Sequence, residues 1–327
     1  MTTKIAVIGG GSWATAIVKM LSNNCDKVLW WMRDEDQIEH IVSFGHNPKY
    51  LTAAEFNNDV VFPSSDLKEV ISQADIIVVA TPSAFIDSIF KGLVLNGKKI
   101  VSAVKGIIPQ TNEIPADYFQ NNYGMSLNDF AIICGPCHAE EVAMERLSYL
   151  TIAGKNNDLC LLISNVLSCR YIRCTTSFDV VGTEISAVLK NVYALAGGIS
   201  HGLGYGDNYL SVLISNAIQE IERFINVAYP MERDVKFSAY LGDLLVTAYS
   251  PHSRNRSFGN MIGKGYSVKS IQQEMNMVAE GYYAASCIQE LNKKHKVDLP
   301  IANAVYEILY NKSNPKKKFE ELSLLLQ

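Results

Sequence analysis

Lys190 lies in Glu184-Ile185-Ser186-Ala187-Val188-Leu189-Lys190-Asn191-Val192-Tyr193, a largely apolar run with helical spacing. A lysine there either snorkels to the surface along its aliphatic stem or is buried, where its surroundings tune its charge. Further along, Ser253-Arg254-Asn255-Arg256-Ser257-Phe258-Gly259 gathers hydroxyl, guanidinium and amide donors where a helix could begin. With the N–H groups of a helix start, they would make a seat for phosphate. A third group opens the chain, where Ile5-Ala6-Val7-Ile8 runs into Gly9-Gly10-Gly11-Ser12-Trp13-Ala14. Gly9 and Gly11 take two glycine positions of a dinucleotide fingerprint and Ala14 the third. The first allows a tight turn, the second a close approach to pyrophosphate, and the small third residue lets the helix pack on its strand. A cofactor, a proton donor and a phosphate clamp are the parts of an enzyme.

The second strand of such a fold should offer an acid to the ribose of NAD. Here it ends Trp30-Trp31-Met32-Arg33-Asp34. Met32 stands near the acidic position, and Arg33 could face the 2′-phosphate of NADP. Pairing of Arg33 with Asp34 or Asp36 at the surface is the competing reading, so the choice between NAD and NADP stays open, tilted by Arg33 toward NADP.

These groups need elements to hold them. Strands are expected over 4–8, 27–32, 75–80, 99–104, 130–134 and 149–153, and helices over 13–22, 36–43, 66–72, 84–90 and 138–144. Their alternation predicts a doubly wound Rossmann-type α/β domain with a parallel sheet and helices on both faces. Runs such as Ile76-Ile77-Val78-Val79-Ala80 show little alternation, as strands covered on both faces should. After about Phe178 long helical patterns take over, at 181–198, 209–228 and 278–294. The expected domains are therefore 1–180, binding NAD(P), and 181–327, an all-α substrate-binding and catalytic domain.

At 327 residues the chain is long enough for two cores. With 48% hydrophobic and 19% charged residues it has ordinary globular composition, and a net charge of −4 supplies no basic field for nucleic acid. No apolar run reaches the length of a membrane span. The seven cysteines are irregularly spaced, and with an N-terminus unlike a signal peptide they point to a reducing cytoplasm. No cysteine and histidine spacing completes a zinc site, so no metal is expected.

Eight segments in order look like NAD(P)-dependent glycerol-3-phosphate dehydrogenase of the bacterial type. They are residues 9–16, Ala103-Val104-Lys105-Gly106-Ile107, Gly135-Pro136 with Glu141-Val142-Ala143, Leu189-Lys190-Asn191-Val192, residues 202–208, Leu241-Gly242-Asp243-Leu244, Ser253-Arg254-Asn255-Arg256 and Val278-Ala279-Glu280-Gly281. The resemblance implies interconversion of dihydroxyacetone phosphate, a small phosphorylated three-carbon substrate, and sn-glycerol 3-phosphate, which would feed phospholipid synthesis. It implies a helical second domain of the 6-phosphogluconate-dehydrogenase-like type, an active site in the cleft between domains, and a homodimer. By the same resemblance Lys190 is the catalytic lysine, Lys105 a second active-site lysine and Asp243 the aspartate orienting lysine or substrate. Gly135, Cys137, Thr247, Ser253, Arg254 and Asn255 would join them around the substrate. Lys105, Ala139, Arg254, Val278 and Glu280 would join Gly9, Gly11, Ser12, Trp13, Ala14 and Arg33 around the cofactor.

Two departures from the family pattern stand out. Leu213-Ile214-Ser215-Asn216-Ala217 replaces a segment that usually carries arginine and glycine. Cys134-Gly135-Pro136-Cys137 reads as a dithiol motif, yet no tryptophan precedes it, and Cys137 is expected to stand in for a small polar residue near the substrate.

Overall fold

The computed structural model describes residues 3–275 and 279–327. The chain divides into two compact units, one of Met1–Val104 with Pro115–Val180, the other of Lys105–Ile114 with Val181–Gln327.

The first unit holds one sheet of eight strands: β1 (Ile5–Ile8), β2 (Val28–Trp31), β3 (Val61–Ser64), β4 (Ile76–Val79), β5 (Lys99–Ser102), β6 (Phe130–Cys134), β7 (Ser148–Gly154) and β8 (Ile172–Ser177). Their spatial order is β3-β2-β1-β4-β5-β6-β7-β8. The first six give the 3-2-1-4-5-6 order of a dinucleotide-binding sheet. Its helices are α1 (Ser12–Leu21), α2 (Glu35–Phe44), α3 (Leu67–Gln73), α4 (Ile86–Phe90), α5 (Pro115–Tyr123), α6 (Ala139–Ala143) and α7 (Asn157–Leu167). β1, β4 and β6 are buried at every residue, as centrally placed strands should be.

The parallel sheet expected from sequence is present, with one antiparallel step. β7 pairs antiparallel with β6, while β8 runs parallel to β7. β3 and β8, absent from the sequence expectations, are the two edges. Pro63 inside β3 is tolerated because an edge strand has one unpaired side.

The second unit is built on α8 (Val180–Gly202), buried on all sides from Gly182 to Ser200. A helix covered all round lies at the centre of its core. The others are α9 (Asp207–Ala228), α10 (Asp243–Tyr249), α11 (Arg254–Gly263), α12 (Val268–Glu274), α13 (Glu280–His295), α14 (Pro300–Tyr310) and α15 (Pro315–Ser323). Among the described residues no helix is long and apolar enough to cross a membrane.

Candidate active site

In the first unit the glycine turn joins β1 to α1. Gly9 has φ +135°, and a Cβ there would stand 2.6 Å from the Ala80 carbonyl oxygen, so only glycine fits. Gly10, not counted in the fingerprint, is also confined, since its Cβ would lie 2.9 Å from Met32 Cβ. Gly11 faces open space and is the N-cap of α1, with no side chain capping that end. The turn's carbonyls are held from behind: Trp30 Nε1 donates to Gly9 O at 2.6 Å and Gln37 Nε2 to Gly10 O at 2.8 Å. Asn47 Nδ2 donates to Thr15 Oγ1 at 2.8 Å and to Gly10 O at 3.3 Å. With the carbonyls so occupied, the turn offers its N–H side and an uncapped helix start to an anion. Thr81, next to Gly9, has a buried hydroxyl without a hydrogen-bond partner. An open Cβ position, an uncapped helix and an orphan hydroxyl together fit a pyrophosphate-bearing nucleotide. Ser12 and Ala14 are buried at the head of α1, and Trp13 is half-buried.

Met32 is buried and Arg33 exposed. Asp34 accepts from Gln37 N at 3.1 Å as the N-cap of α2 and pairs with Lys49. The Lys49 hydrogen bond and the capping bond hold its carboxyl below the usual range. The ion-pair partner of Asp34 is thus Lys49, while the charge of Arg33 acts on it more weakly. Gly135, after β6, has φ +110° and presses toward Tyr149 O. Cys134 Sγ donates to Thr151 O at 3.2 Å, and Cys137 is buried in the core of this unit. Ala139 is buried at the start of α6.

In the second unit three charged groups from distant parts of the chain converge. Lys190 comes from α8, Asp243 opens α10 just after a π-helical turn at Ser238–Gly242, and Lys105 comes from the segment Lys105–Ile114. Lys190 Nζ donates to Asp243 Oδ1, and Lys105 Nζ stands 3.6 Å from Asp243 Oδ2. Asn191 Nδ2 donates to Lys105 O at 2.7 Å and fixes that backbone against α8. Lys190 is 3% exposed and Asp243 1%, so the pair is withdrawn from water. Burial pulls the Lys190 ammonium down to about 7; Asp243 opposes the shift and Lys105 adds to it. Asp243 Oδ2 is buried and accepts no hydrogen bond, which leaves it able to receive one from a ligand hydroxyl.

The anion seat is built on α11, which packs against α8. Ser253 caps α11 through Arg256 N at 3.3 Å, and Arg254 and Asn255 are the first two residues of that helix. Asn255 Oδ1 accepts from Gly281 N at 2.9 Å, so its Nδ2 is the end left to donate. Thr247 Oγ1 donates to Asp243 O at 2.6 Å and keeps acceptor capacity only. Glycines let these helices meet α8 backbone to backbone. A Cβ on Gly198 or Gly202 would enter the backbone of α11, and one on Gly259 or Gly263 that of α8. Glu280 is half-buried at the first turn of α13. Val278 lies outside the described residues.

Sequence reasoning missed several supporting groups. Gln37 and Asn47 reach Gly10 only through tertiary folding. Glu220 of α9 is a buried carboxylate that accepts from Ile301 N at 2.6 Å, Ala302 N at 3.3 Å and Tyr193 Oη at 3.1 Å. It caps α14 from outside, since Leu299 at the N-cap cannot, and ties that helix to α8 one turn beyond Lys190. Nothing local in the sequence marks it.

Comparison with known proteins accounts for nearly the whole chain. Residues 4–160 match the family model for the NAD-dependent glycerol-3-phosphate dehydrogenase N-terminus, and residues 179–320 match that for its C-terminus. The glycerol-3-phosphate dehydrogenase [NAD(P)+] of Thermoanaerobacter sp. (strain X514) is 36% identical over 95% of this chain and 94% of its own. That of Bacillus subtilis (strain 168) is 32% identical over 98% of this chain and 93% of its own. A crystal structure of glycerol-3-phosphate dehydrogenase from Coxiella burnetii superposes with a TM-score of 0.91 at 28% identity, covering 98% of both chains. With both halves matched in order, the chain belongs to the NAD-dependent glycerol-3-phosphate dehydrogenase family.

Proposed function

We propose that the chain interconverts dihydroxyacetone phosphate and sn-glycerol 3-phosphate with NAD(P)H, with Lys190 moving the proton. The observation that carries this is a buried lysine held by Asp243, flanked by Lys105 and brought to about 7. At that value roughly half of the molecules carry the ammonium at neutral pH and half the amine, so the group can donate in one direction and accept in the other. In reduction, the Lys190 ammonium hydrogen-bonds the ketone oxygen and gives it a proton as the carbon takes a hydride. When bound, the reduced nicotinamide supplies that hydride. In oxidation, the Lys190 amine removes the hydroxyl proton.

Asp243 keeps Lys190 charged through Oδ1 and offers Oδ2 to a substrate hydroxyl. Lys105 adds positive charge at the polarised oxygen. Arg254, Asn255 Nδ2 and the start of α11, with the Ser253 cap, hold the phosphate, and Thr247 Oγ1 is left to accept from a substrate hydroxyl. Gly135 and Cys137 are assigned to the substrate by family likeness. Gly9, Gly11, Ser12, Trp13 and Ala14 would carry the pyrophosphate. Arg33 would meet a 2′-phosphate, a reading supported by Asp34 being taken up by Lys49. Ala139, Glu280 and Val278, with Lys105 and Arg254, complete the cofactor contacts by likeness alone. The same reading includes a supply of glycerol phosphate for phospholipid, a homodimer, and a cytoplasmic location, which seven irregularly spaced cysteines suit.

The test is oxidation of NADH and of NADPH, in separate reactions, by dihydroxyacetone phosphate and the purified protein, beside Lys190→Ala. Rapid turnover lost in the variant supports the reading. Folded protein that binds NAD(P)H yet oxidises neither cofactor would overturn it.

A further inference from the structure

One chemically capable pair takes no part in either half of the site. His40, on the last turns of α2, and His46, just past its end, bring their Nε2 atoms to 3.1 Å. Two imidazole nitrogens that close cannot both carry protons, so one of them must present a lone pair. The His46 ring settles which. Its Nδ1 lies 3.2 Å from the Phe44 carbonyl oxygen, an acceptor only, so Nδ1 carries the proton and Nε2 the lone pair. A ring N–H anchored on a backbone carbonyl, with the opposite nitrogen bare, is the arrangement in which histidines bind metal ions.

The angle between the rings points the same way. A straight N–H···N bond would put the ring centres about 5.4 Å apart, whereas they are 4.7 Å apart with planes at 85°. The rings are thus bent away from a straight N–H···N line, a geometry that both nitrogens turned toward a shared point would give. Nitrogens ~2.1 Å from one ion and ~3.1 Å apart subtend about 95°, which sets the ring centres about 4.8 Å apart. That angle suits the cis positions of a tetragonal or octahedral ion better than a tetrahedral one. Asp36, one turn before His40 on α2, and Glu55, bridged through the backbone to His46, add negative charge to the neighbourhood.

We propose that His40 and His46 form a chelate for one divalent late first-row ion of the nickel or copper kind. Among the described residues no group of three or more histidine, cysteine or acidic side chains is arranged around a metal, so water fills the other positions and the site is an exchangeable one. The ion replaces the proton between the rings, and that proton passes to His40 Nδ1. The chelate joins the two elements that hold Gly10: α2, which carries Gln37, and the segment that begins at His46 and carries Asn47. An ion there would brace the fingerprint turn from behind. The proposal stands apart from the dehydrogenase reading and uses none of its residues.

Calorimetric titration of the tag-free full chain with NiCl2 tests it, alongside His40→Ala, His46→Ala and His201→Ala. The expected result is one ion per chain, with affinity lowered about tenfold or more in each of the first two variants and unchanged in His201→Ala. Thermal unfolding under Ni²⁺ should show an upward shift that the same two variants lose, which also reports that they are folded. Absence of saturable binding, or binding that persists in both single variants, overturns the proposal and leaves the pair as a plain hydrogen bond.

Discussion

Replacing Asp243 by asparagine keeps the shape of the site and removes the charge that supports Lys190. A unit charge at about 4 Å contributes roughly 4 kcal/mol at an effective dielectric near 20. At 1.36 kcal/mol per unit this is about three pKa units. Lys190, held at about 7 with Asp243 in place, should therefore fall toward 4 in Asp243→Asn. The ammonium fraction at pH 7 would drop from about one half to about 10⁻³, and kcat/KM for ketone reduction would fall roughly 10²–10³-fold with it. The assay is kcat/KM for dihydroxyacetone phosphate between pH 5 and 9, expressed as the ratio of variant to parent. The ratio cancels titration of the substrate phosphate, which both proteins share. The parent should level off below pH 7, while the variant should keep gaining about tenfold per unit down to pH 5. A ratio independent of pH would refute the reasoning and make Asp243 a substrate contact with no influence on the lysine's charge.

Burial pushes the Glu220 carboxyl up to about 7, against three donors that pull it down. A carboxyl that binds its proton more tightly when folded adds stability that is full below about 4.5 and lost as pH rises through about 7. Unfolding free energy should thus decline by up to ~3 kcal/mol across that window, and urea titrations of Glu220→Gln should show the decline flattened; an unchanged slope contradicts it. Gly259→Ala forces a methyl into the backbone of α8 at Leu195 and Ile199. It should cost about 1–3 kcal/mol in a denaturant midpoint and raise KM for the phosphorylated substrate. Arg33→Ala should raise KM for NADPH by roughly 10–100-fold, as loss of a charge-assisted bond would, and leave NADH unaffected in steady-state kinetics. Equal changes for both cofactors would remove Arg33 from the 2′-phosphate.

What could be read in the sequence was what lies close together along it. The glycine turn, its strand and its helix are contiguous, and β1, β4 and β6 announce themselves by uninterrupted apolar residues. β3 and β8 did not, because edge strands carry a proline in one case and alternate with exposed polar residues in the other. The antiparallel setting of β7 on β6 was not legible either, because a run of apolar residues does not record the direction in which a strand enters the sheet. The pairing of Lys190 with Asp243 spans 53 residues, and no periodicity joins such positions. Only family likeness placed them together. The grouping of Lys105–Ile114 with the helical unit was equally hidden, since its ties are long-range ones such as the hydrogen bond from Asn191 to a backbone carbonyl 86 residues earlier.

The glycines of α8 and its neighbours explain how those distant groups keep their spacing. Gly281 lies against Asn191 O, Gly259 against Leu195 O, Gly263 against Ile199 O, and Gly202 against Asn260 O. These contacts recur about once per turn along one side of α8, beginning one residue after Lys190. Side-chain contacts can relax by changing rotamer, whereas two backbones in van der Waals contact have no such freedom. Asn255 is bound through Oδ1 to the N–H of Gly281, itself seated on α8. The amide that would hold phosphate and the lysine that would move the proton are thus referred to one rigid helix. A reaction that needs its proton donor and its substrate anchor within a fraction of an ångström of their working positions requires such a frame. The small residues of α11 and α13 therefore belong to the chemistry as much as the charged ones do, although none of them touches a reacting atom.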